Sequence, residues 1–217
     1  MASHYTPGRV VSWKHRDKDW LWLRVLCQIV VAGNAAPGET LMNSPAVKER
    51  LAFSRLRELT PRQRRHLLHR VLQAIGTRYV GEKTPNRKVN AAVHNFDVLD
   101  RAGGPRQFFE QVLPKEEDRI RLLSNRETFQ FYGKKGARDI LIELGLAKNC
   151  LALDARILGL LKKVGVEIAK SSLDRNYEKI QDELIEKVAK HCGLSGGKLD
   201  RVLFQNYGDI MVRLLRP

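Results

Sequence analysis

The sequence predicts an all-α fold, and three observations carry that expectation. Apolar residues recur at helical spacing in segment after segment, no stretch alternates convincingly at period two, and the breaks between periodic runs carry proline, glycine and capping residues. The first element is the run 19–32, DWLWLRVLCQIVVA, which is apolar on nearly every side, as expected of a central helix enclosed by others. Next comes 60–76, TPRQRRHLLHRVLQAIG. Here Thr60 can cap, Pro61 suits the first helical position, and Leu67, Leu68, Val71, Leu72 and Ile75 form a stripe that Gly76 ends. The other side carries Arg62, Arg65, His66 and His69, a basic face; no Cys, Asp or Glu stands near the two histidines at ligand spacing, so no metal is expected. The same logic marks helices at Val89, Val93, Phe96 and Leu99, at Ile157, Leu160, Leu161 and Val164, at Ile180, Leu184 and Val188, and at Val202, Leu203, Ile210 and Leu214. The sum is a compact array of roughly ten short helices joined by short polar connections.

Composition narrows the class of partner. The chain has 217 residues, enough to bury a substantial core as one domain or two lobes. Lys and Arg number 39 against 24 Asp and Glu, a net charge of +15 spread over many segments, so a polyanion is the first expectation. Cys27, Cys150 and Cys192 lie far apart and form no C-x-x-C pair, which argues against a zinc ribbon or redox motif and for a reduced, cytoplasmic protein. The opening residues have no apolar signal-peptide core. The run 20–32 is too short for a bilayer and contains Arg24 and Gln28, so neither export nor a membrane is expected.

The most informative stretch is 127–166, ETFQFYGKKGARDILIELGLAKNCLALDARILGLLKKVGV, which reads as helix, tight turn, helix, loop, helix. Gly133 and Gly136 permit a sharp turn and close backbone approach, and the helix that follows has an apolar face at Ile140, Leu141 and Leu144. Such a turn directs unpaired backbone N–H groups and the positive end of a helix dipole outward, a site for a DNA phosphate, with Lys134 and Arg138 adding charge. Non-specific grip on the backbone follows.

These residues resemble the helix-hairpin-helix DNA glycosylases, the family that includes endonuclease III and the 8-oxoguanine DNA glycosylases. Its hairpin reads G-x-G-x-K-x-A, and a catalytic aspartate sits in an apolar-D segment shortly after the second hairpin helix. FYGKKGA, residues 131–137, overlays that pattern with Gly133 as second glycine and Lys135 at the lyase lysine; Asp154, in ALDARIL, falls at the aspartate nineteen residues later. The match implies a two-lobed fold with the active site in the cleft between lobes: 18–148 as a helical lobe containing the hairpin (about 124–147), and 1–17 with 149–217 as the second lobe. It also implies that Asn34, after the core helix, enters the gap left by an extruded base, and that Phe204, in KLDRVLFQNYG, stacks on that base. Two departures stand out. Phe131 replaces the first hairpin glycine, so a wider turn or altered phosphate contact is expected. The absence of a four-cysteine C-terminal cluster moves the resemblance toward the small, cluster-free 8-oxoguanine glycosylases of archaea and bacteria, and no cofactor is expected.

The residue types suit the implied reaction, removal of a damaged base (8-oxoguanine the best guess) from duplex DNA by a monomeric, nucleoid-associated glycosylase and AP lyase. Breaking an N-glycosidic bond leaves positive charge on the sugar, which the Asp154 carboxylate would stabilise. The Lys135 amine would displace the base, forming a Schiff base that acidifies the neighbouring carbon and permits elimination of the 3′ phosphate. Flipping the nucleotide out exposes the buried target. Taken singly, the residues have plainer readings: Asp154 as a helix N-cap, Lys135 as a phosphate contact, Phe129, Phe131, Tyr132 and Phe204 as packing, Asn34 as a helix end. The same fold acting on an oxidised pyrimidine or alkylated purine, and a non-catalytic helix-hairpin-helix DNA-binding protein, are the rival functions.

Overall fold

The computed structural model describes residues 12–81, 86–111, 114–166, 168 and 170–215, in which helices and connections account for everything and no strand occurs. They form two compact units, Ser12–Gly136 and 137–215. The first holds α1 (Lys18–Val30), α2 (Ala36–Asn43), α3 (Pro45–Arg50), α4 (Phe53–Arg57), α5 (Pro61–Ala74), α6 (Arg87–Arg101), α7 (Pro105–Glu110) and α8 (Glu116–Ser124). The division falls inside α9 (Lys134–Glu143), earlier than the 148/149 boundary expected from the sequence. The second unit continues with α10 (Ala155–Lys163), α11 (Lys170–Leu184) prolonged by a π-helical turn Ile185–Ala189, α12 (Gly196–Gln205) and α13 (Tyr207–Leu215). The expected assignment of 1–17 to the second lobe falls, for residues 1–11, outside the described residues.

α1 is the axis of the first unit. Asp17 caps it by accepting from the Trp20 amide at 2.7 Å, and Leu21, Trp22, Leu23, Val25, Leu26, Cys27, Ile29 and Val30 are all buried. A helix buried on so many sides has no wet face on which to leave polar groups, and side chains from later elements reach its carbonyls. The Trp22 indole donates to the Leu51 carbonyl at 2.9 Å while its ring meets Phe96 edge-on at 5.4 Å, and Phe53 stacks on Phe96 at 4.6 Å. Arg64 of α5 lies over the Phe96 ring at 4.0 Å, paired with Asp97 at 2.8 Å and donating to the Leu56 and Leu59 carbonyls. α5 carries the full Thr60–Gln63 capping box and ends at Gly76, whose positive φ lets the Thr77 amide reach back to the Leu72 carbonyl.

The segment read as one helix around Val202–Leu214 is two. Asn206 leaves helical geometry, and its side-chain amide donates to the Val202 carbonyl at 2.9 Å, closing α12 before α13 begins at Tyr207. Apolar periodicity alone does not reveal such a break, because both helices supply apolar side chains. Among the described residues no helix is long and apolar enough to cross a membrane.

Lys88, at the start of α6, is fully buried and donates to the Val30 carbonyl at 3.0 Å and the Ala32 carbonyl at 2.8 Å, closing the C-terminal end of α1. Burial, reinforced by the Arg78 guanidinium, lowers its ammonium from 10.5 to about 8. The unfolded chain therefore holds this proton more tightly, and stability contributed by the group rises as pH climbs from about 8 toward 10.5. Lys88→Met should cost roughly 1–3 kcal/mol by stranding two carbonyls. Denaturant melts at about pH 7 and about pH 9.5 should show the wild type's advantage widening at the higher pH; an advantage that stays constant would contradict the shifted amine.

Candidate active site

The residues singled out in the sequence fall into three groups. Gly133, Lys134, Lys135 and Gly136 are together at the start of α9, with both lysines half-buried in its first turn. The turn is held from beneath by its neighbours: Phe129 and Tyr132 are buried and meet at 5.3 Å, and the Tyr132 hydroxyl donates to the Val25 carbonyl of α1 at 2.9 Å. Asn95 of α6 adds a two-way bond with Gln130, at 2.8 and 3.0 Å.

The backbone of that turn differs from expectation. Neither Gly133 nor Gly136 has positive φ; the left-handed residue is Phe131, at φ 64°. The chain thus keeps a tight turn where the resemblance has its first glycine, at a cost of roughly 1–2 kcal/mol for a residue with a Cβ. Gly133, by contrast, is exposed, and a methyl group built there would meet nothing within 4 Å. Its smallness answers no need of the protein's own packing.

Arg138 is corrected. Its side chain is 3 % exposed and points inward, donating to Gln181 Oε1 at 2.7 Å and pairing with Glu178 at 3.4 Å above the Tyr177 ring. A guanidinium so enclosed is not a surface phosphate contact. The exposed basic character lies elsewhere: on α5 and the start of α6, Arg62, Arg65, His66, His69, Gln63, Asn86 and Val89 line an open groove of about 460 Å³ with no acid among them. Asn34 sits half-buried in the connection after α1. Its carbonyl oxygen turns back to accept from the Ala36 amide at 3.3 Å, at the start of α2.

Asp154 is the N-cap of α10. Its Oδ1 accepts from the Arg156 and Ile157 amides at 2.9 and 3.0 Å, which leaves Oδ2 3.8 Å from Arg156 Nε. The carboxylate is 19 % exposed. The segment leading to it, 150–153, is buried and irregular, with neither helix nor sheet to satisfy its amides, so side chains do so. Gln181 Oε1 accepts from Leu151 N at 3.2 Å, Asp200 Oδ1 from Ala152 N at 2.7 Å, and the Tyr177 hydroxyl accepts from Leu153 N at 2.8 Å while donating to the Leu151 carbonyl at 3.0 Å. Burial pushes the Tyr177 hydroxyl well above the ordinary phenol range, so it remains a donor. The sequence reading missed these three; their signal was a tyrosine and a glutamine four apart on the inward side of α11, ordinary in isolation. Phe204 has a half-exposed ring with the Arg156 guanidinium 3.9 Å over one face, so Arg156 links Asp154 to Phe204. Among the described residues no group of three His, Cys, Asp or Glu could hold a metal ion.

No protein-family model matches the sequence, and no curated protein matches it. Two crystal structures are similar. One is the 8-oxoguanine DNA glycosylase of Thermotoga maritima, TM-score 0.61 and 21 % identity over 88 % of this chain and 82 % of that one. The other is the 8-oxoguanine glycosylase/lyase of Methanocaldococcus jannaschii bound to a 15mer DNA containing 8-oxoguanine, TM-score 0.64 and 17 % identity over 91 % and 85 %. The chain has the fold of these glycosylases. Within that glycosylase fold, the approach to Asp154 depends on buried hydrogen bonds rather than on apolar packing alone. Tyr177→Phe orphans the buried Leu153 amide and should lower unfolding free energy by about 1–3 kcal/mol, whereas Asp200→Asn, which keeps an acceptor for Ala152, should cost less. Equal costs, measured by denaturant titration, would mean the acceptor is not what matters.

Proposed function

We propose that the protein is a DNA glycosylase with AP lyase activity, excising a damaged base, 8-oxoguanine in the first instance, from duplex DNA. The observation that carries this reading is the coincidence, in one chain with the glycosylase fold, of an amine in the first turn of α9 and a carboxylate at the N-cap of α10. Lys135 attacks the anomeric carbon and displaces the base; the Schiff base so formed permits elimination of the 3′ phosphate. Asp154 stabilises the positive charge that develops on the sugar, with Oδ1 held by the α10 amides and the carboxylate partly shielded from water. The α9 N-terminus with Gly133 and Lys134 receives a phosphate, and the groove along α5 offers further cations to the backbone. Asn34 fills the vacated stack, and the half-exposed Phe204 ring supports the flipped base.

The N-cap geometry also favours a second reading, a helix-hairpin-helix DNA-binding protein in which Asp154 only caps α10. Borohydride reduction on a duplex containing 8-oxoguanine separates the two, because only an amine nucleophile is trapped covalently. Wild type should form the adduct and Lys135→Gln should not. Asp154→Asn is an unusually clean variant, since asparagine caps as well as aspartate; it should melt like the wild type yet excise the base about 10²–10³-fold more slowly. Nicking that persists in Lys135→Gln, or unimpaired excision by Asp154→Asn, removes that residue from its role.

Gly133→Ala tests the phosphate grip. The added methyl meets no protein atom and the backbone is not left-handed, so stability should hold or rise by about 0.4–1 kcal/mol, while affinity for undamaged duplex falls because the methyl occupies the approach of the phosphate. Undiminished affinity would place the phosphate elsewhere.

A further inference from the structure

Among the described residues two side chains other than glycine hold a positive φ, Tyr79 at 62° and Phe131 at 64°, and both are exposed aromatics. Tyr79 has a partner, the Lys88 ammonium 5.9 Å from its ring. Phe131 makes no ring–ring or cation–π contact among the described residues, and 41 % of its surface faces solvent. Its neighbours already do the packing: Phe129 is fully buried against Phe108 and Tyr132, and Tyr132 is bonded to α1. The turn thus combines two unfavourable features, left-handed backbone at a residue with a bulky side chain and an apolar ring left in water, neither of which folding requires. Two residues later stands Gly133, in a conformation any residue could adopt and with open space about it. The glycine is where the protein needs none, and the phenylalanine where a glycine would fit best.

We infer that Phe131 is a DNA-contacting side chain whose ring packs against the deoxyribose of the strand beside the phosphate received at the start of α9. The inference rests on the proposed function for the identity of the partner. Duplex DNA is the occupant because the ring is flanked within four residues by Lys134 and Lys135 at a helix N-terminus, on a chain of net charge +15; an apolar ring among cations matches a backbone that alternates charged phosphates with apolar sugar faces.

The test uses the full chain with Phe131→Gly, which suits the backbone, and Phe131→Asn, which tolerates it and is polar. Thermal midpoint, affinity for a fluorescent undamaged duplex and the salt dependence of that affinity are measured together. Both variants should keep or raise the midpoint and bind duplex about 10-fold more weakly through lost burial of the ring, with the salt slope unchanged because no phosphate contact is lost. Phe131→Tyr should bind like the wild type. Unchanged affinity in the Gly and Asn variants overturns the inference, and so does a midpoint several degrees lower in both, which would make the ring a packing residue. A wild-type chain that binds no duplex at all would instead sink the proposed function, a result distinct from either.

Discussion

A helix surrounded by protein must have its backbone ends met by other side chains, and α1 imposes that requirement on its unit. Lys88 closes its C-terminal end, Trp22 ties it to the connection before α4, and the Tyr132 hydroxyl bonds its Val25 carbonyl from the turn that precedes α9. The hairpin is therefore fixed to the most buried element of the unit rather than to the surface. A turn anchored in this way can hold Phe131 in a conformation the residue itself disfavours, since the bonds of Tyr132 and Gln130 determine the backbone on both sides.

The second unit solves a different problem with the same chemistry. Residues 150–153 are buried without helix or sheet, and the tyrosine, glutamine and aspartate that bond them are distant in sequence. Gln181 serves twice, accepting from both Arg138 and Leu151, so the inward turn of Arg138 belongs to the support of the segment that ends at Asp154. A charge expected on the surface is thereby spent on architecture.

Local pattern made much of this legible. The unbroken apolar character of 19–32 marked α1, Thr60 with Pro61 and Gly76 marked both ends of α5, and an aspartate before an apolar period marked the α10 cap. The hairpin glycines, Lys135 and Asp154 stand out in the sequence only through the family resemblance, which is why their roles are proposed. What stayed hidden depends on partners far along the chain or on backbone angles. Arg138 reads as a solvated charge until Gln181 and Glu178, some forty residues away, are seen to enclose it. Nothing in FYGKKG says which residue takes the left-handed angle, and the rule that glycine does so points to the wrong one. Asn206 looks like any polar residue until its amide is seen to close a helix.

Amide protons bonded to side chains exchange with solvent on different terms from those in a helical ladder. At Leu151, Ala152 and Leu153 each N–H is shielded by one acceptor borne on α11 or α12. Deuterium uptake at three consecutive positions therefore reports separately on the seating of those two helices, which gives this segment a built-in gauge of local opening that needs no label and no change of sequence.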